Sequence, residues 1–275
     1  MVKYAFSILL FSIAVFIGCV GNKKIAPNRI AKDTLVLAEP ISSIIHPYNN
    51  VNFQLALSKK NITFYAIDSI NSWELFISKD TNITFLINDV QYFFSNSMHS
   101  NQGDSIIKYY SLNGNQRVLI LIEEKPYTTR LKKSNYPFSV KVFLKNLDSD
   151  TEYNGDGFYV TNPNIHDIWV LDSLNGQKIK HEYFLLGLPQ LEFHLDGGRM
   201  MGFGGCNELE GIFYTIEDEI QFNSLVGSPQ ICGKANDEHV FLNTIQYKRF
   251  LYTIENLRLR FTHRDGSVIV FRKVD

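Results

Sequence analysis

Between residues 51 and about 160, apolar residues fall in short runs separated by polar turns, at 53–57, 62–67, 73–77, 83–87, 90–94, 106–110, 118–122 and 138–144. The runs are rich in Ile, Val, Phe and Tyr, and several alternate with polar residues, as strands with one buried face do. In the last run Phe138, Val140 and Val142 share one face. Asn113-Gly114 between two runs is a hairpin signal, because both residues tolerate positive φ. This half therefore predicts an antiparallel sheet, as a sandwich or a partly open barrel, and no helix. A boundary follows at 161–168. The second half repeats the idiom: Trp169-Val170-Leu171 runs into Asn175-Gly176, and Leu191, Phe193 and Leu195 alternate up to Asp196-Gly197-Gly198. A strand is expected at 220–225. Leu257, Leu259 and Phe261 alternate before Asp265-Gly266, and 268–271 closes the series. One helix is predicted, over about 236–248, with Asn236 as N-cap, Asp237 and Glu238 in the first turn, and Val240, Phe241, Thr244, Ile245 and Lys248 at helical spacing. The fold class read from this pattern is mainly β with one helix (α+β): two antiparallel β-rich domains, 51–162 and 167–275.

The first 50 residues follow neither pattern. Lys3 precedes an apolar run from Ala5 to Ile17, which suits a signal-peptide core and is short for a membrane span. The run ends in Phe16-Ile17-Gly18-Cys19, which resembles a bacterial lipoprotein signal, with Phe16 where leucine is usual. The resemblance implies removal of 1–18 and lipidation of Cys19. The alternatives are an ordinary secretory signal or a short anchor helix. Val20 stands where aspartate commonly retains such lipoproteins in the inner membrane, so the expected location is the outer membrane, facing the periplasm. Residues 19–50, with Gly21, Pro27, Pro40 and Pro47, read as a tether, and Lys23-Lys24 could touch anionic headgroups.

Charge and cysteine content narrow the function classes. With 27 basic and 28 acidic residues the 275-residue chain has a net charge of -1, so it shows no electrostatic footprint for nucleic acid. Once Cys19 carries lipid, Cys206 and Cys232 are the remaining thiols. An envelope location permits a disulfide between them, closing a loop of roughly 25 residues and stabilising the fold by about 3 kcal/mol. The alternative is two reduced, buried cysteines packing as small hydrophobes.

The densest segment is Arg199 to Cys232: Gly202-Phe203-Gly204-Gly205-Cys206-Asn207, then Gly211 and Tyr214, and finally Cys232. Close glycines in a β-rich segment mark a constrained corner. With the preceding tryptophan strand and the later helix, this segment resembles the signature of the META domain, the HslJ-type domain of bacterial envelope proteins. The resemblance spans about residues 167–273. It implies a structural role for Gly202, Gly204, Gly205, Cys206, Asn207, Gly211, Tyr214 and Cys232, and a part in envelope stress tolerance or antibiotic resistance. A weaker resemblance links Trp73 and the Tyr136-Pro137-Phe138 strand to an uncharacterised envelope lipoprotein domain. The competing reading makes Trp73 a core aromatic.

Catalytic chemistry finds little support in the pattern. A nucleophilic Cys206 would need a histidine such as His194, His239 or His263, and no G-x-S-x-G occurs. The seven histidines show no metal-ligand spacing, so no metal or cofactor is expected. Glu123-Glu124 and Asp218-Glu219 are adjacent, would point to opposite faces of a strand, and read as solvated. Four Asp-Ser/Thr-apolar triplets, beginning at Asp33, Asp68, Asp104 and Asp172, resemble an O-glycosylation sequon or are plain turn chemistry. The expectation is a non-catalytic envelope lipoprotein, bound to the membrane by its lipid and in contact with envelope or secreted proteins. The alternatives are an inhibitor of a secreted enzyme such as a lysozyme or protease, and a binder using a cleft between domains.

Overall fold

The computed structural model describes residues 47–101, 106–126, 136–147, 149–184, 186–228 and 237–274. Cys19, Asn236 and Cys232 lie outside them, so the expected signal, the expected lipidation site, most of the expected tether and the far end of the signature are not described.

The first half forms a nine-stranded antiparallel sheet. Its strands are β1 (Ile62–Ile67), β2 (Trp73–Ser78), β3 (Ile83–Ile87), β4 (Val90–Phe94), β5 (Met98–Ser100), β6 (Ile106–Asn113), β7 (Gln116–Glu124), β8 (Phe138–Lys145) and β9 (Asp150–Tyr159). The spatial order is β4-β3-β2-β1-β9-β8-β7-β6-β5, so two meanders are joined where β9 returns to β1. Seven of the predicted strands are present, and the hairpin at Asn113 turns on Gly114 (φ 58°), with Asn113 opposite Gln116. The pattern does not announce β9, whose middle reads Asn154-Gly155-Asp156-Gly157. Glycine is required there by packing: a Cβ on Gly155 would overlap the Trp73 ring and the Ile67 carbonyl oxygen, and one on Gly157 would sit 2.6 Å from the Tyr65 carbonyl oxygen. The edge strand β4 comes near β6, next to the other edge, because Asn113 Nδ2 donates to the Phe93 carbonyl (2.9 Å) and Ser111 Oγ to the Ser95 carbonyl (3.0 Å). The concave side holds Phe64, Trp73, Leu75, Ile120, Val140 and Val142 in one core. Trp73 is thus a core aromatic.

Residues 53–57, expected as a strand, are instead the centre of helix α1 (Val51–Lys59). Asn50 caps it by accepting from the Phe53 amide at 3.1 Å, and Phe53, Gln54 and Leu57 face inward. Spacing of three and four is helical, but a nine-residue segment is too short for its period to outweigh the β-prone composition around it. The helix covers the outer side of β1 and β2, where Phe53, Leu57, Tyr65, Phe76 and Phe158 form a second core. Residues 47–50, expected as tether, are folded as well: Pro47–Asn49 is a single 3-10 turn that buries Tyr48 in the same core.

The second half is a separate antiparallel sheet of β10 (Ile168–Leu174), β11 (Gln177–Lys178), β12 (Gln190–His194), β13 (Arg199–Phe203), β14 (Glu208–Ile216), β15 (Glu219–Gly227), β16 (Arg249–Glu255), β17 (Arg258–Thr262) and β18 (Val268–Lys273). Pairing of β10 with β18 closes it on itself. The one predicted helix is α2 (Glu238–Ile245), whose Phe241 and Ile245 enter a core with Trp169, Phe193, Phe213, Phe222 and Phe261. Its N-cap is Asp237 rather than Asn236. The mainly β, α+β class with two antiparallel sheets is what the structure shows.

Candidate functional site

The glycine-rich signature forms the corner between β13 and β14, and its other anchor is the first residue of α2. Glu238 is 5% exposed. Its carboxylate accepts from the Asn207 amide nitrogen through Oε1 (2.9 Å) and from Asn207 Nδ2 through Oε2 (2.6 Å). A buried carboxylate needs such donors, and the positive end of the α2 dipole adds to them. Asn207 also returns its carbonyl to the Gly204 amide (2.8 Å) and takes a hydrogen bond on Oδ1 from Ser228 Oγ (3.3 Å), tying the corner to the end of β15. The Asp237 amide donates to the Tyr183 carbonyl (3.0 Å), which fixes the other side of the helix start.

Each glycine makes room for a particular neighbour. A Cβ on Gly204 would lie inside van der Waals contact of Glu238 Oε1 and 2.9 Å from the carboxyl carbon; on Gly202 it would meet the Gln190 carbonyl of the adjacent strand. Gly205 has φ 106°, a left-handed conformation, and its missing side chain leaves space for the Phe184 ring. Cys206 is buried and disulfide-bonded. In that state it carries no thiol to act as a nucleophile. Gly211 sits beside a register shift between Gly211 and Phe213, where β14 bulges against β15.

Beyond that bulge β14 leaves its own core. Tyr214 and Ile216 are buried in the core of the first sheet, and the Tyr214 ring stands edge-on to Phe138 with centroids 5.8 Å apart. Tyr214 Oη donates to Glu124 Oε1, and Arg249 Nη2 donates to Glu124 Oε2 at 2.6 Å. Glu124, expected to be solvated, is therefore a junction between the two sheets, while Glu123 is exposed. At the tip of the same hairpin His99 Nε2 lies 2.7 Å from Glu217 Oε1, and His99 stacks on Tyr109. Thr161 and Thr215 hydroxyls meet at 3.1 Å. On the far side Gln54 Nε2 donates to both the Tyr48 (2.7 Å) and Leu195 (2.5 Å) carbonyls. The two ends of the signature thus hold different parts of the molecule. Its Gly-Cys-Asn end seats α2, and its Tyr214 end docks the other sheet. This part of the chain is a META domain. Its family model matches residues 164–275.

No curated protein matches the chain. Two NMR structures are similar to part of the chain. One is 16% identical, covers 41% of this chain and 95% of its own, and has a TM-score of 0.33. The other, from Burkholderia xenovorans, is 20% identical, covers 41% and 88%, and has a TM-score of 0.34.

The remaining candidates separate in space. A concavity of about 700 Å³ is lined by Ser173, Asn175, Arg260, Asp265 and Ser267 of the META domain and by none of the signature residues. Asp68 acts as a turn former, accepting from the Ser72 amide at 2.7 Å. Among the described residues no group of three or more His, Cys, Asp or Glu is placed to hold a metal ion, and no helix is long and apolar enough to cross a membrane. Sequence reading missed Glu124, Arg249, Glu217 and Gln54 because each acts through a partner far along the chain. Only Glu238 carried a local signal, an acidic residue in the first turn of the predicted helix.

Proposed function

We propose that the protein is a non-catalytic lipoprotein of the bacterial cell envelope, anchored through Cys19, in which the META domain serves envelope stress tolerance or resistance to antibiotics. The observation that carries this reading is that the signature is consumed by folding. The donors of Asn207 and the carboxylate of Glu238 are spent on each other, and the glycines accommodate neighbours rather than open a site. The disulfide at Cys206 supports an oxidising compartment, and the run from Ala5 to Cys19 supplies the route there.

The test is metabolic labelling with a fatty-acid analogue in the native host, followed by membrane fractionation and survival under detergent and antibiotic challenge. The wild type is expected to take up label and restore survival to a deletion strain. Cys19→Ser is expected to do neither. Labelling that persists in Cys19→Ser, or full survival of the deletion strain, contradicts the reading.

A further inference from the structure

We propose that the outer face of β6, β7 and β8 docks on an anionic lipid bilayer. The register places outward-facing residues of neighbouring strands in rows. One row runs Met98, Tyr110, Leu119, Phe143 from β5 to β8. Met98 is 65% exposed and the other three are half-buried, although they point away from the core. On one side of this row lie Lys108, Leu121 and Lys141; on the other lie Leu112, Arg117 and Lys145, with Leu112 55% exposed.

An apolar band is therefore bracketed by two basic rows, and β6 to β8 contribute no acidic residue to the three. The chain as a whole carries a net charge of -1, so these four cations are segregated rather than average. Among the described residues Lys108, Arg117 and Lys141 have no ion pair; Lys145 meets Asp150 at 3.2 Å on the strand beyond. The acidic neighbours lie at the margins: Asp150, Glu152 and Asp156 on β9, the last paired with Lys125, and Glu123 near one end of β7.

Outward faces of antiparallel sheets in water are normally polar. One that sets aromatic and aliphatic side chains among four cations, three of them without an ion pair, matches a surface that is apolar beneath and anionic on top. Long basic side chains reach such headgroups while their stems lie on the apolar layer. A protein partner would have to supply the same combination, so a bilayer is the simpler occupant for a protein held at a membrane. The choice of a bilayer rests on the proposed envelope location, and acylation of Cys19 would keep the face close to its target.

The test is amine-reactive footprinting of the full chain as its host makes it, mixed with vesicles of phosphatidylethanolamine and phosphatidylglycerol or of phosphatidylcholine alone. Lys108 and Lys141 are expected to label about fivefold more slowly on the anionic vesicles, the factor that about 1 kcal/mol per surface lysine represents. Exposed Lys178 of the META domain should label equally on both, and high salt should abolish the difference. The double variant Arg117→Gln, Lys145→Gln should weaken the protection. Equal labelling of Lys108 and Lys141 on the two vesicle types overturns the proposal, as does protection by an envelope protein fraction in the absence of lipid. Retention on phosphatidylcholine vesicles reports the anchor separately, so a failed anchor and a failed face are told apart.

Discussion

Gly204→Ala tests whether the signature glycine exists to admit a buried carboxylate. Gly204 has no left-handed φ, so its backbone accepts alanine, and the whole penalty comes from the new methyl group. That methyl would overlap Glu238 Oε1 and lie 2.9 Å from Cδ and Cγ, so the carboxylate must move. Moving it breaks two hydrogen bonds to Asn207, of 2.9 and 2.6 Å. Hydrogen bonds to a charged group contribute about 1.5–3 kcal/mol each, and some water will follow the displaced group, so the expected loss is about 3–5 kcal/mol. Gly227→Ala is the control: its Cβ would come no nearer than 3.3 Å, to the Asn207 side chain, and should cost under about 1 kcal/mol. The assay is guanidinium unfolding followed by tryptophan fluorescence, since Trp169 is buried with its indole N–H on the Ile165 carbonyl at 2.9 Å. In a Glu238→Ala background the obstacle is gone. Gly204→Ala should then cost little, and the coupling energy should nearly equal its cost in the wild type. Additive effects would refute the reasoning, because they would mean that Gly204 is needed for something other than room for Glu238.

Two further outcomes follow. Tyr214→Phe removes the hydroxyl donor to Glu124 but keeps the ring against Phe138, so it should cost about 1.5–3 kcal/mol. Arg249→Gln should show coupling to it through the shared carboxylate, measured by a double-mutant cycle; an uncoupled pair would deny Glu124 its role as junction. In alkali, burial raises Tyr65, Tyr109, Tyr136 and Tyr159 above the ordinary phenol value and pushes Tyr252 up to about 12. The unfolded chain then releases these protons first, so stability is intact below about pH 10 and falls above it, by about 1.4 kcal/mol per pH unit for each such tyrosine. For Tyr252 the loss runs from about pH 10 to about 12. Unfolding midpoints between these limits, read beside tyrosinate absorbance, check this; full ionisation of the native protein near pH 10 would contradict it.

The sequence by itself determined most of the long strands, because alternation is a local record of which side of a sheet meets apolar neighbours. Phe138, Val140 and Val142 do face one core, and Asn175-Gly176 and Asp265-Gly266 do turn the chain, with positive φ at Asn175, Gly176 and Gly266. The α2 segment was legible too, since its apolar residues recur at helical spacing behind an acidic start. Tertiary structure alone decided the rest. The residues of α1 become helical where they cover the outer side of β1 and β2, a surface no local pattern reveals. The glycines of β9 look like strand breakers until Trp73, 82 residues from Gly155, is seen to fill the space. Glu124 finds Arg249 across 125 positions and Tyr214 across 90. A charged or polar residue shows in sequence only that it needs a partner. Which partner it gets depends on how distant strands are brought together, and that is why the signature could be recognised while its division between seating α2 and docking the other sheet could not.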